Sequence, residues 1–179
     1  YKPLWSIILS LCILAFIIFI KKDHIISLIK SLFNENYLRL MDYESNGGKN
    51  QIYILGYILF LSNLTLFIYL YLTRELNVSM NFIYIKLMVA SLIFFIGKHI
   101  LLNFIAFVFN VEKESHLYNF KLISDYNVLG IIFLILNILI IFGPEIWLKT
   151  IGIAGLTIFF LFVITRYYRG IHIAKKYFG

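Results

Sequence analysis

The sequence predicts an all-α, polytopic membrane protein of about five transmembrane helices plus one interfacial amphipathic helix. Three observations lead there. The 179 residues are 61% hydrophobic and only 14% charged, whereas a soluble domain is about half apolar and about a quarter charged. The apolar residues are gathered into runs of bilayer-crossing length. Those runs are uniformly apolar and lack the period-two alternation of an outer-membrane barrel strand.

A spanning helix needs about 20 apolar residues. The first run, Leu4–Ile20, stops at Lys21-Lys22-Asp23. The second covers 52–72 and stops at Thr73-Arg74-Glu75. The third, 82–109, carries Lys86, Lys98, His99 and Asn103. The fourth, 128–148, has Gly143-Pro144 near its end, and the fifth, 151–165, passes into a basic helix ending at Gly179. The short connection between the last two predicts a tight hairpin. The whole chain, 1–179, reads as one membrane domain.

Residues 24–41 differ. Ile25, Ile26, Leu28, Ile29, Leu32, Phe33 and Leu40 recur at helical spacing, with Lys30, Ser31, Asn34 and Glu35 between them. This pattern predicts an amphipathic helix in the interface. Residues 42–51 read as a polar loop turning at Gly47-Gly48, and 110–126 as a second polar loop.

Positive charge sets the expected orientation. Lys21, Lys22, Lys30, Arg39, Lys49, Lys113, Lys121, Arg166, Arg169, Lys175 and Lys176 fall on one side. Lys2, Arg74 and Lys149 fall on the other. The rule places the amphipathic helix, the 110–126 loop and the basic tail (166–179) in the cytoplasm, with Tyr1 on the far side of a bacterial inner membrane.

Lys98 is the sharpest chemical feature. It lies about 16 Å along the helix from Phe109, which puts it near the bilayer midplane, where a lysine costs on the order of 3 kcal/mol on insertion scales. Glu145, close to the end of the fourth run, is the one Asp or Glu within the five runs. Three readings compete. Lys98 snorkels or bonds to carbonyls and to amides such as Asn63 or Asn137. A carboxylate on a partner protein or a lipid phosphate meets it. Or Lys98 and His99 line an ion or proton path. His99, Asn103 and Ala106 share one stripe, the usual contact surface between helices in lipid. Gly152, Ala154 and Gly155 form a small patch of the same kind.

In the tail, Arg166, Arg169, His172, Lys175 and Lys176 alternate with Tyr167, Tyr168 and Tyr177. Anchoring through positive charge and an aromatic belt explains this pattern; contact with anionic lipid or an acidic partner is the functional reading. The charge of +7 is spread over membrane-flanking segments, which argues against nucleic acid as a partner. No zinc helix, phosphate-cradling glycine loop or nucleophile elbow is present. His116 stands near Glu112, Glu114 and Asp125, a group that reads as a solvated loop rather than a metal site. Neither a metal nor another cofactor is expected, and Cys12, the single cysteine, has nothing to pair with.

Several short motifs, in order, resemble a family. They are Phe33-Asn34-Glu35-Asn36-Tyr37, Lys98, Phe109-Asn110-Val111 with Glu112-Lys113-Glu114, Tyr126-Asn127 leading to Leu129-Gly130, and Arg166 to Gly170. Together they resemble the Bacteroidota membrane family known as domain of unknown function 4271. Two departures stand out. The family tends to have a basic residue where this chain has Asn103, and it usually continues into a further hydrophobic helix. The resemblance implies an inner-membrane protein and supplies no catalytic residues.

The expectation is therefore a non-enzymatic subunit or scaffold of a bacterial envelope assembly, with a link to secretion or gliding machinery. It sits in the lipid bilayer beside a membrane partner that carries an intramembrane carboxylate. The competing expectation is a small transporter or channel using Lys98 and His99.

Overall fold

A computed structural model describes residues 4–44, 51–75 and 83–178, with side chains to Tyr168 apart from a few near helix ends. The described chain is helical throughout. Its elements are α1 (Leu4–Ile20), α2 (His24–Phe33), α3 (Glu35–Glu44), α4 (Gln51–Glu75), α5 (Ile83–Val108), α6 (Glu112–Phe142) and α7 (Leu148–Phe178). Four stretches are long and apolar enough to cross a membrane: Gln51–Arg74, Ile83–Val108, Tyr118–Phe142 and Glu145–Tyr168. A fifth is the pair Leu4–Ile20 and His24–Leu32, bent by 96° at the break. The chain is an all-α polytopic membrane protein.

The centre of the bundle is the pair α4 and α6, which run side by side in one direction. Tyr53 meets Phe120, Phe67 meets Phe133, and Arg74 donates to the Ile140 carbonyl. Gly130 permits the approach, since a Cβ there would sit 2.8 Å from the Phe60 Cα. The other spans run the opposite way around this pair. Ser6 of α1 meets Tyr84 of α5 at 3.0 Å. Gly152 and Gly155 of α7 lie under the rings of Tyr71 and Phe67 of α4, so the small patch is a helix contact. The α4 and α6 spans are 67% and 61% buried, against 11% for α5 and 22% for α7. Lipid or another protein must therefore cover most of α5 and α7.

Midway along α4 the interior is polar. Asn137 donates to the Asn63 carbonyl at 2.9 Å, and Asn63 to the Leu59 carbonyl at 2.8 Å. Internal partners of this kind are what lipid demands of buried amides.

The helix bounds differ from the expected ones in three places, each with a local cause. The 110–126 segment is not a loop. α5 ends in a three-residue turn in which the Val111 N–H bonds the Ala106 carbonyl at 3.0 Å and the Asn110 N–H bonds the Phe107 carbonyl at 3.3 Å. Asn110 takes φ 55°. This is a Schellman cap, with asparagine in the left-handed position that glycine usually fills. α6 starts directly after it, at Glu112.

The last hairpin turns earlier than expected, at 143–147 rather than 148–151. Pro144 forces Gly143 out of the α region (φ −78°, ψ 164°). The Gly143 N–H still bonds the Leu139 carbonyl at 2.8 Å. Leu148 consequently opens α7 instead of closing the fourth span.

The amphipathic segment is two helices. Asn34 is extended (φ −128°, ψ 113°) at the end of α2, and its side chain accepts from the Asn36 N–H at 3.0 Å. One residue thus stops α2 and caps α3. The 96° bend after α1 turns α2 across the end of the bundle rather than along it. There α2 and α3 build a second small core in which Leu28, Leu38 and Met41 lie against Tyr53, Phe120 and Val128. The expected turn at Gly47-Gly48 lies outside the described residues.

Candidate functional site

Helical periodicity brings three residues from three helices together. Tyr126 of α6 projects toward α5 and α7. Its ring stacks on Phe60 at 4.7 Å and meets Phe95 edge-on at 5.3 Å. These aromatic contacts hold the phenol in place with little freedom. The Lys98 ammonium donates to the Tyr126 hydroxyl and lies 5.0 Å from the ring centroid. The Arg166 guanidinium donates to the same hydroxyl at 2.8 Å and to the Tyr118 hydroxyl at 3.2 Å. Tyr118 and Tyr126 are eight residues apart on α6 and share a face, so the arginine spans two turns of that helix.

The site holds more donors than acceptors. An ammonium has three donors and a guanidinium five. One of the first set and two of the second are used here. Both lone pairs of the Tyr126 oxygen are occupied, which leaves its own proton to donate. Neither Lys98 nor Arg166 has a carboxylate within ion-pairing reach among the described residues. Asp125 adjoins Tyr126 in sequence, is itself buried, and has an interaction of its own. The cluster is therefore a set of half-buried donors converging on a place where an acceptor belongs.

Lys98 lies level with the first half of α4. His99, its neighbour, lies 5.7 Å from the Tyr57 ring. Tyr57 is six residues, about 9 Å, from the start of α4, while the midpoint of that helix falls at Asn63. The cluster thus sits in the half of the bundle nearer the α2 end. Asn63 and Asn137, the amides considered for Lys98, bond each other at the midpoint instead. The His99 stripe packs: His99 against Tyr57, Asn103 accepting from Asn119 at 3.0 Å, and Ala106 buried. Arg169, Lys175 and Lys176 lie on α7, but their side chains are outside the described residues.

Sequence reading missed Tyr126 and Tyr118. Both fall where a loop was expected, so their common helix face was invisible. Arg166 reads from the sequence as part of the basic tail, an anchor or a contact for anionic lipid or an acidic partner, and nothing in one dimension joins it to Lys98.

Away from this cluster, His116 Nδ1 lies 3.8 Å from Asp42 Oδ2, joining α6 to α3. Burial pushes the Asp42 carboxyl up, with His116 opposing. Among the described residues no group of three potential ligands could hold a metal. At the bundle end His24 of α2 is buried, edge-on to Tyr53 at 4.9 Å. Burial, reinforced by the Lys21 charge, pulls its pKa down to about 4.

One family model, Domain of unknown function (DUF4271), matches residues 4–179. The chain belongs to that family. The match takes in every helix that builds the cluster, from Lys98 on α5 through Tyr118 and Tyr126 on α6 to Arg166 on α7. No curated protein matches this DUF4271 chain. No solved structure matches it.

Proposed function

We propose that the protein is a non-enzymatic subunit or scaffold of an assembly in the bacterial inner membrane, and that it holds an anionic group between α5, α6 and α7. One observation carries this reading: Lys98 and Arg166 share a single phenol, with surplus donors and no paired carboxylate among the described residues. Two cations brought together at low dielectric repel each other, and an anion between them removes that cost. The sparse burial of α5 and α7 supports contact with other membrane components.

The orientation that the positive charges favour puts the cluster in the cytoplasmic half of the membrane. The resemblance to a Bacteroidota family extends the reading to envelope machinery such as secretion or gliding systems. The transporter reading has less support. Beyond Lys98 the space between α5 and α7 is lined by apolar side chains, with Ser91 the one hydroxyl, and an ion path needs a succession of polar groups.

The test is gentle detergent purification of the tagged protein, with mass spectrometry of what remains bound. The expected result is a stoichiometric companion, protein or lipid, that is lost from the Lys98→Met/Arg166→Met double variant. Indifference of every bound species to that variant would sink the reading.

A further inference from the structure

α5 and α7 each pack on the α4/α6 pair rather than on each other, and a cleft of about 370 Å³ lies between them. Ala90, Phe94 and Phe95 form its α5 wall, Leu156 and Phe159 its α7 wall, and Phe133 lies at its floor. Gly155 is part of the lining, and a side chain there would meet the Phe67 ring, with Cβ 2.3 Å from its Cζ. The volume is within the range of about 300–1,000 Å³ for ligand pockets.

The cation pair does not line the cleft but adjoins it through Phe95. On α5, Phe95 lies one turn before Lys98. On α7, Phe159 lies about 10 Å, two turns, before Arg166 on the same face. The Phe95 ring that walls the cleft also touches the Tyr126 ring at 5.3 Å. Arg166 is two residues from the end of the apolar stretch Glu145–Tyr168, close to where lipid phosphates lie.

We infer that the α5/α7 cleft binds one anionic phospholipid, with an acyl chain along the apolar walls and its phosphate held by Lys98, Arg166 and the Tyr126 hydroxyl. This rests on the reading of Lys98 and Arg166 as an anion site and names the anion. Charge complementarity selects the occupant. Lipid tails are as apolar as the cleft, so tail burial alone discriminates little. Every phospholipid offers a phosphate to these donors, so the preference comes from net charge: the cation pair attracts an anionic headgroup and repels the ammonium of a zwitterionic one. A partner's helix bearing one carboxylate fits less well. It would bring a single acceptor pair to at least three free donors, and a helix with side chains is about 10 Å across, too wide for this space.

The full chain in nonionic detergent is mixed with equal amounts of dioleoyl phosphatidylglycerol and dioleoyl phosphatidylcholine, and bound lipid is read by native mass spectrometry. The wild type is expected to retain one phosphatidylglycerol in roughly tenfold preference. Lys98→Gln/Arg166→Gln brings the ratio close to one. Ala90→Trp fills the cleft from an exposed α5 position and lowers retention of both lipids, while monodispersity and helical content stay those of the wild type. Equal retention of the two lipids by the wild type overturns the inference. So does phosphatidylglycerol retention that Ala90→Trp leaves untouched. If lipid preference is absent yet a co-purified protein is lost from the double variant, the anion reading stands and the lipid inference fails. If neither bound species responds, both fail.

Discussion

Lys98 of α5 and Arg166 of α7 donate to one phenolic oxygen, that of Tyr126. The contact ties the two least-buried spans to the central pair. It also defines what a change at Tyr126 must do.

Tyr126→Phe removes the shared acceptor and leaves both cations half-buried. Hydrogen bonds to charged groups contribute about 1.5–3 kcal/mol, and in a chain of this size about 1 kcal/mol corresponds to roughly 2–4 °C in melting temperature. The expected loss is therefore about 5 °C or more in a single detergent. Adding Lys98→Met recovers part of it, because the isolated ammonium is the expensive remnant. Strict additivity of the two changes in thermal unfolding would refute the coupling.

Two glycines separate packing from propensity. Gly130→Ala drives a Cβ to 2.8 Å from the Phe60 backbone, whereas nothing lies within 4 Å of a Cβ at Gly97. Overpacking of this kind costs about 1–3 kcal/mol. At Gly97 alanine adds up to about 1 kcal/mol of helix propensity. Thermal unfolding should show the two changes moving in opposite directions.

The turn after α5 needs a left-handed residue at 110. Asn110→Gly should be neutral or mildly stabilising, and Asn110→Val should lose about 1–2 kcal/mol. A valine variant with unchanged melting temperature would mean that the α5–α6 turn does not take this form in solution.

His24 gives the bundle end an acid sensitivity. Its folded-state pKa of about 4 is below the ordinary 6.5, so the unfolded chain binds more protons between those values. Stability is full above pH 6.5 and declines as pH falls toward 4. Asp42, pushed the opposite way by burial, contributes with opposite sign near the acid end of that window. Melting temperature measured from pH 7 to 4 should fall for the wild type and flatten for His24→Gln. Parallel curves for the two proteins would remove His24 as the cause.

Much of the fold was legible because it is local. An uninterrupted apolar run of about 20 residues has few options in lipid other than a helix, so α1, α4, α5 and the apolar parts of α6 and α7 could be placed from composition alone. The errors fell where polarity was taken for irregularity. Glu112 to Asp125 is polar and helical, because Asn110 caps α5 tightly enough for α6 to begin at once. Asn34 was read within a single amphipathic helix, though its side chain suits a cap better than a helix interior.

Lys98 shows where sequence reading stops. Its burial in an apolar run, and the absence of Asp or Glu from that run, are facts of one dimension, and they identify it as unusual. That its partner is Tyr126, that Arg166 shares the partner, and that an apolar cleft lies beyond Phe95 all depend on the register of α5 and α7 against α6. That register comes from side-chain interlocking, such as Gly130 on Phe60 and Gly155 on Phe67. The sequence by itself determined that the chain is helical, membrane-embedded and cationic, because hydrophobicity and backbone hydrogen bonding act along the chain. Only the tertiary structure decided which cations meet, because close packing acts between helices distant in sequence.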